Sequence, residues 1–198
     1  LAEIVRLLEA CGGHALGLFS SLRAAQAAAA WVRQESDWPV LCQSEGHLAD
    51  LVRQFIDQPV TSLFGTIALW QGLDAPGATC QLVLIDRIPF PRPDEPLIQA
   101  RQRAVDRAGG NGFMAVCASQ AGLLLAQGAG RLIRRLDDRG VVAILDRRLA
   151  TARYGPYLTR SLPPFWLTTD SAQALAALDR LKRGRPAPPT DRQLQSSA

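Results

Sequence analysis

Lysine is almost missing from this chain: of 22 basic residues 21 are arginine, and Lys182 stands alone. No glycine-rich turn ends in Gly-Lys-Ser/Thr, so the chain carries no phosphate loop of the G-x-x-x-x-G-K-[ST] kind. Histidine is nearly as scarce. His14 falls in a predicted strand and His47 at a predicted helix start, neither with an evident acid–base partner, and both are expected to be structural. No G-x-S-x-G elbow occurs, and no G-x-G-x-x-G follows a strand; Gly109-Gly110-x-Gly112 comes after a helical stretch. These absences disfavour a self-sufficient hydrolase of the usual types. Cys11, Cys42, Cys80 and Cys117 lie more than thirty positions apart, which excludes a zinc or iron–sulfur ligand spacing and a disulfide framework. Each sits in an apolar run, so buried reduced thiols of a cytoplasmic protein are expected. The longest uncharged stretch, Ala108 to Gly130, is interrupted by six glycines and several polar residues and does not read as a membrane span. Leu1 is not preceded by a leader, and the chain is expected to be part of a longer one.

What is present is ordinary globular material. The 198 residues are 47% hydrophobic and 20% charged, enough for one domain with a real core. The net charge is +4. Arginine richness is also what a GC-rich genome writes, so its distribution matters more: Arg131 to Arg160 holds eight arginines against three aspartates. Such a local excess suits a polyanion or a phosphate.

Periodicity predicts strands at 14–19, 39–42, 60–64, 81–85 and 141–145, the last two reading as strands buried on both faces. Helices are predicted at 1–10, from a Ser20-Ser21 cap to 34, and at 47–56, 95–108, 118–136 and 171–183. Strand–helix alternation with short links predicts one doubly wound α/β domain with a parallel sheet, spanning 1–183. Residues 184–198 read as a flexible basic, Pro-rich tail. In such sheets ligands bind beyond the carboxyl ends of the strands, which singles out the loops after Phe19, Phe64, Ile85 and Leu145.

Three stretches carry chemistry. In Gln127–Arg135 (QGAGRLIRR), Gln127, Arg131 and Arg134 fall at i, i+4 and i+7, on one helical face. An amide and two guanidinium forks can grip several oxygens of one phosphate. Gly128 and Gly130, costly in a helix, suggest close approach to the backbone; the competing reading is a solvated basic face. In Leu63–Gly77 (LFGTIALWQGLDAPG), Thr66 and Gln71 can bond phosphate or sugar oxygens and Asp74 can orient an arginine, or the stretch is an ordinary turn with Asp74 capping it. In Leu84–Leu97, four prolines make a stiff path, and Asp94-Glu95 are expected to cap the following helix rather than act as catalytic carboxylates.

The ordered set FSS, FGTIALWQGLDAPG, LVLIDRIPFPRPDEPL, QGAGRLIRR and RGVVAILDRRL, ending in YGPYLTRSLPP, resembles the second helicase domain of the DinG/XPD-like superfamily 2 helicases, on the bacterial DinG side. The resemblance covers about Gly12 to Pro164. It implies a RecA-like motor domain whose first-domain partner, with the phosphate loop, the magnesium motif and a possible iron–sulfur cluster, lies elsewhere in the parent. By match to motif VI, Gln127, Arg131 and Arg134 would face ATP, with Arg134 the leading arginine finger. By match to motif V, Gly72 and Asp74 would line the interdomain cleft, with Gln71 beside the nucleotide and Thr66 at the DNA. By match to motif IV, Ser20 and Ser21 would contact the phosphates of single-stranded DNA. Leu22 departs from the pattern, where an aromatic often follows the serine. The implied whole is an ATP-dependent, 5′-to-3′ DNA helicase in the cytoplasm at the nucleoid, using ATP and Mg2+, with the isolated domain inactive. The rival readings are a non-catalytic nucleotide- or nucleic-acid-binding module and a sugar-nucleotide or cofactor-binding domain.

Overall fold

A computed structural model describes residues 1–58, 60–66, 69, 80–130 and 139–184. Helix α1 (Ala2–Cys11) turns its Ile4, Leu7, Leu8 and Cys11 inward. It stops where Gly12, Gly13 and His14 take positive φ in succession (78°, 77° and 61°). Gly13 is required there, because a Cβ would lie 2.2 Å from the Val60 carbonyl oxygen. His14 therefore precedes the first strand instead of lying in it. Its buried ring meets the edge of Phe55 at 5.1 Å, the structural role expected of it.

Strand β1 (Ala15–Leu18) leads to α2 (Leu22–Glu35), β2 (Val40–Cys42), a 3-10 turn (Gln43–Glu45), α3 (Leu48–Asp57) and β3 (Ser62–Gly65). Then come β4 (Leu82–Ile85), α4 (Pro96–Arg107), a π-helical turn (Phe113–Ala118) running into α5 (Ser119–Gly130), and β5 (Val141–Ile144). Short helices α6 (Arg148–Thr151) and α7 (Gly155–Ser161) and a closing α8 (Ser171–Arg183) complete the described chain. The sheet is parallel throughout, in the order β2-β3-β1-β4-β5.

Residue alternation along the strands divides the core. Leu16, Leu18, Leu63, Val83 and Ile85 pack on the face covered by α3, α5 and α7, through Leu51, Phe55, Leu125 and Leu158. Ala15, Phe64, Leu82 and Leu84 pack on the other face with α1, α2 and α8, through Leu8, Ala28 and Leu178. The two-residue period of a strand thus feeds both faces at once, as a doubly wound sheet needs. β4 is buried along its length, as its apolar run predicts. β5 differs: it ends the sheet and is half-buried, because a strand with one neighbour leaves a flank open.

The apolar run from Phe113 to Gly130 is one continuous helix, long and apolar enough to cross a bilayer by length and composition, with mean hydropathy 1.3. In this fold Ala121, Leu125 and Ala129 pack inside, and Gly122 lets Ser161 of α7 approach to 2.8 Å of where a Cβ would stand. The helix starts five residues earlier than its periodicity suggests, through the π turn. Glu95 does hold the N-cap position of α4, but its side chain makes no cap bond, and Asp94 pairs with Arg92 at 2.7 Å instead.

Candidate functional site

The carboxyl rim of the sheet gathers polar side chains from every described strand. Phe19 and Asp86 extend the ladder one residue past the strands, donating their amides to Gly65 and Leu18 carbonyls at 2.7 and 3.1 Å. Beyond that point the side chains take over. Asp86, directly after β4, accepts from the Ser20 amide and the Ser20 hydroxyl, both at 2.8 Å, and ties β1 to β4. Gln43, directly after β2, accepts on one Oε1 from the Thr66 amide (2.8 Å) and hydroxyl (3.0 Å), tying β2 to β3. Gly65 allows this pairing, since a Cβ there would sit 2.7 Å from that same Oε1 and 2.3 Å from Leu69 Cδ1.

Asp146, just past β5, closes the other end. It is buried, accepts from the Ile88 amide at 3.1 Å and from the Arg148 amide at 3.0 Å, and is gripped by Arg148 Nε and Nη2 at 2.9 and 2.7 Å. Burial by itself would raise this carboxyl. The Arg148 guanidinium and the two amides outweigh it and hold the group at about 2. The Asp146–Ile88 bond pins the start of the proline-rich path to the edge strand.

The serine pair is split by geometry. Ser20 spends its hydroxyl proton on Asp86. Ser21 is the N-cap of α2, extended at φ −153°, and its Oγ accepts from the Ala24 amide at 3.1 Å. A hydroxyl has one proton and two lone pairs, so the Ser21 cap leaves that proton for an outside acceptor. An anion meeting Ser21 would also meet the positive end of α2. At Ser20, by contrast, the Asp86 carboxylate stands against an anion. Thr66 resembles Ser20, its proton committed to Gln43.

Ser20 and Thr66 flank the reversal in the winding. β1 is followed by α2 on one face, whereas Leu69, after β3, packs in the core of the opposite face. Chains diverging from adjacent parallel strands open a crevice at their carboxyl ends.

Gln127 is exposed on α5, one turn beyond the exposed Leu123 and opposite the buried Leu125 and Ala129. Gly128 lies on the buried side of the helix, while a Cβ at Gly130 would meet nothing within 4 Å among the described residues. Arg131 and Arg134, and Gln71, Gly72 and Asp74, lie outside the described residues.

The four cysteines are buried thiols. Cys80 donates to the Leu82 carbonyl at 3.0 Å, and burial pushes its thiol up to about 11. Among the described residues no three His, Cys, Asp or Glu side chains converge as metal ligands.

Sequence reasoning marked the loops after Phe19, Phe64, Ile85 and Leu145, not the one after β2, and passed over Gln43, Asp86 and Asp146. A signal was there for the two aspartates: each ends an apolar run, LVLID and VVAILD, where a buried strand meets the ligand edge.

The family described as helicase C-terminal domain matches residues 4–165. The ATP-dependent helicase DinG of Mycobacterium tuberculosis (strain H37Rv) is 62% identical over 183 residues, 92% of this chain and 28% of that protein. The ATP-dependent DNA helicase YoaA of Escherichia coli K12 is 39% identical over 179 residues, 90% of this chain and 28% of that protein. The chain therefore spans under a third of the length of these relatives. A solved XPD helicase superposes with a TM-score of 0.53 over 74% of this chain and 27% of its own, at 18% identity, a likeness of fold.

Proposed function

This chain belongs to the helicase C-terminal domain family, and from that premise we propose that it is the second motor domain of a DinG-like, ATP-dependent DNA helicase acting at the nucleoid in the cytoplasm. The observation that carries the reading is Gln127, held outward on α5 while the opposite side of the helix is locked into the core. Arg131 and Arg134 follow it at four and seven residues, the spacing that continues one helical ridge.

In this reading ATP and Mg2+ sit on a first RecA-like domain of the parent chain. Any iron–sulfur cluster belongs there too, since the cysteines of this chain are dispersed and buried. Arg134, with Arg131 beside it, meets the terminal phosphate and stabilises the charge that spreads over its oxygens during transfer. An arginine finger contributes about 10³–10⁵ in rate. Gln71, Gly72 and Asp74 line the cleft between the domains. Loss of the terminal phosphate releases the ridge, the cleft opens, and the grip on a single strand shifts. Ser21 keeps a hydroxyl proton for that strand's phosphates, whereas Ser20 and Thr66, expected beside it, spend theirs on Asp86 and Gln43; backbone contacts of this kind carry little sequence preference. Movement is 5′-to-3′.

The test is made in the parent protein. Arg134→Ala is expected to keep nucleotide binding and lower DNA-stimulated ATP hydrolysis by about 10³ or more. Turnover close to the unmutated rate would remove Arg134 from the site.

A further inference from the structure

A second concavity lies beyond the carboxyl ends of β4 and β5, lined by the segments that follow them and by α4 and the π turn. Three aromatic rings from distant parts of the chain meet there: Phe90 of the proline-rich path, Phe113 of the π turn and Tyr154 before α7. Their centroids are 5.2 to 5.5 Å apart, with Phe90 and Tyr154 edge to face. The open cleft they bound has a volume of about 580 Å³. Its rim carries two guanidiniums, Arg103 on α4 and Arg148, whose Cζ lies 5.8 Å from the centre of the Phe90 ring.

We propose that this cleft binds an unstacked nucleobase together with its adjoining phosphate. The inference rests on the DNA reading above only for where that nucleotide comes from.

The rings are not simply core. Phe90 and Tyr154 are half-buried, and Phe113 keeps 38% of its surface exposed, an unusual state for a large apolar side chain held in a ring cluster. Burying that ring face against a flat π-system is favourable, and every base offers one. The volume is within the range of small-ligand sites. The wall is rigid where it needs to be: Pro91 and Pro93 stiffen one side, and Asp146 anchors that side through the Ile88 amide. π-Helical turns are rare and recur at functional sites, and this one delivers Phe113. Among the described lining residues the one carboxylate, Asp106, is engaged by the Gly112 amide at 2.7 Å. Arg103 is exposed and bonded to Gln99 at 2.8 Å, positioned to hold a phosphate over the ring faces.

The experiment measures binding of labelled oligodeoxythymidine by anisotropy, and of thymidine monophosphate by calorimetry, to this 198-residue chain. Phe113→Ala is expected to weaken the strand about tenfold, while Phe113→Trp stays within about twofold, because the stacking face is retained. Arg103→Ala, a surface change that leaves the fold intact, is expected to weaken binding and lower its salt slope by about one. If the strand binds and neither Phe113→Ala nor Arg103→Ala alters its affinity, the cleft assignment is overturned while the DNA reading stands. Saturable, Phe113-dependent binding of the mononucleotide without any strand binding supports the cleft, makes a free nucleotide its ligand and removes the DNA reading. Failure of both probes to bind overturns the proposal.

Discussion

Ser20 and Ser21 are neighbours with the same side chain and opposite assignments, because one hydroxyl donates inward and the other accepts. Ser21→Ala is expected to cost about 1 kcal/mol of stability through the lost cap and to weaken single-strand binding. Ser20→Ala should spare binding and loosen only the β1–β4 tie. Equal losses of affinity in the two variants, measured beside denaturant unfolding, would refute the distinction. Asp146 makes a pH prediction. Its carboxyl is held below the ordinary value, so its contribution is present above about pH 4 and is lost as pH falls toward its folded value of about 2. Arg148 is half-exposed, which discounts the pair, and Asp146→Asn is expected to cost about 2 kcal/mol at neutral pH. The difference between the variant and the parent chain should shrink through that acid window; a difference independent of pH would show that the carboxylate charge is not its source.

At the scale of elements, the β3 end is built around the absence of a side chain. A methyl group at Gly65 would collide with Leu69 and with the Gln43 oxygen that holds Thr66. Gly65→Ala is expected to destabilise by about 1–3 kcal/mol and to disturb the Thr66 amide resonance, since that amide bonds the displaced oxygen. An unshifted resonance would show that the loop absorbs the methyl elsewhere. Much of the element order was legible: Ser171–Arg183 coincides with its periodicity, and Ser21 caps α2 as its position before an alanine run implies. The short helices α6 and α7 were not. Four and seven residues carry too little pattern, and α7 is fixed by packing on α5 through the buried Leu158, while Gly155 lets the Leu149 carbonyl of α6 come close.

Over the whole molecule, α8 lies beyond the family match, which ends at residue 165, yet it closes the α1 side of the sheet. Leu178 is fully buried, Ser171 bonds Glu3, Lys182 donates to the Glu9 carbonyl at 3.2 Å, and the same ammonium lies over Trp38. Truncation after Asp170 is therefore expected to lower the unfolding midpoint and to speed hydrogen exchange in α1, because its apolar face would meet water. An unchanged midpoint would place the domain's edge before α8.

The sequence by itself determined the parallel α/β architecture, since alternating strand and helix periods with short links allow few other solutions. It also predicts one helical face for Gln127, Arg131 and Arg134, because helical spacing is a local property, and of the three the structure describes Gln127 alone. Only the tertiary structure decided which hydroxyl keeps a proton for a ligand and which aspartate restrains it. It alone brought Phe90, Phe113 and Tyr154 around one cleft. Those outcomes depend on which strands become neighbours, and the order β2-β3-β1-β4-β5 is set by burial of both faces across the whole sheet, not by any one segment.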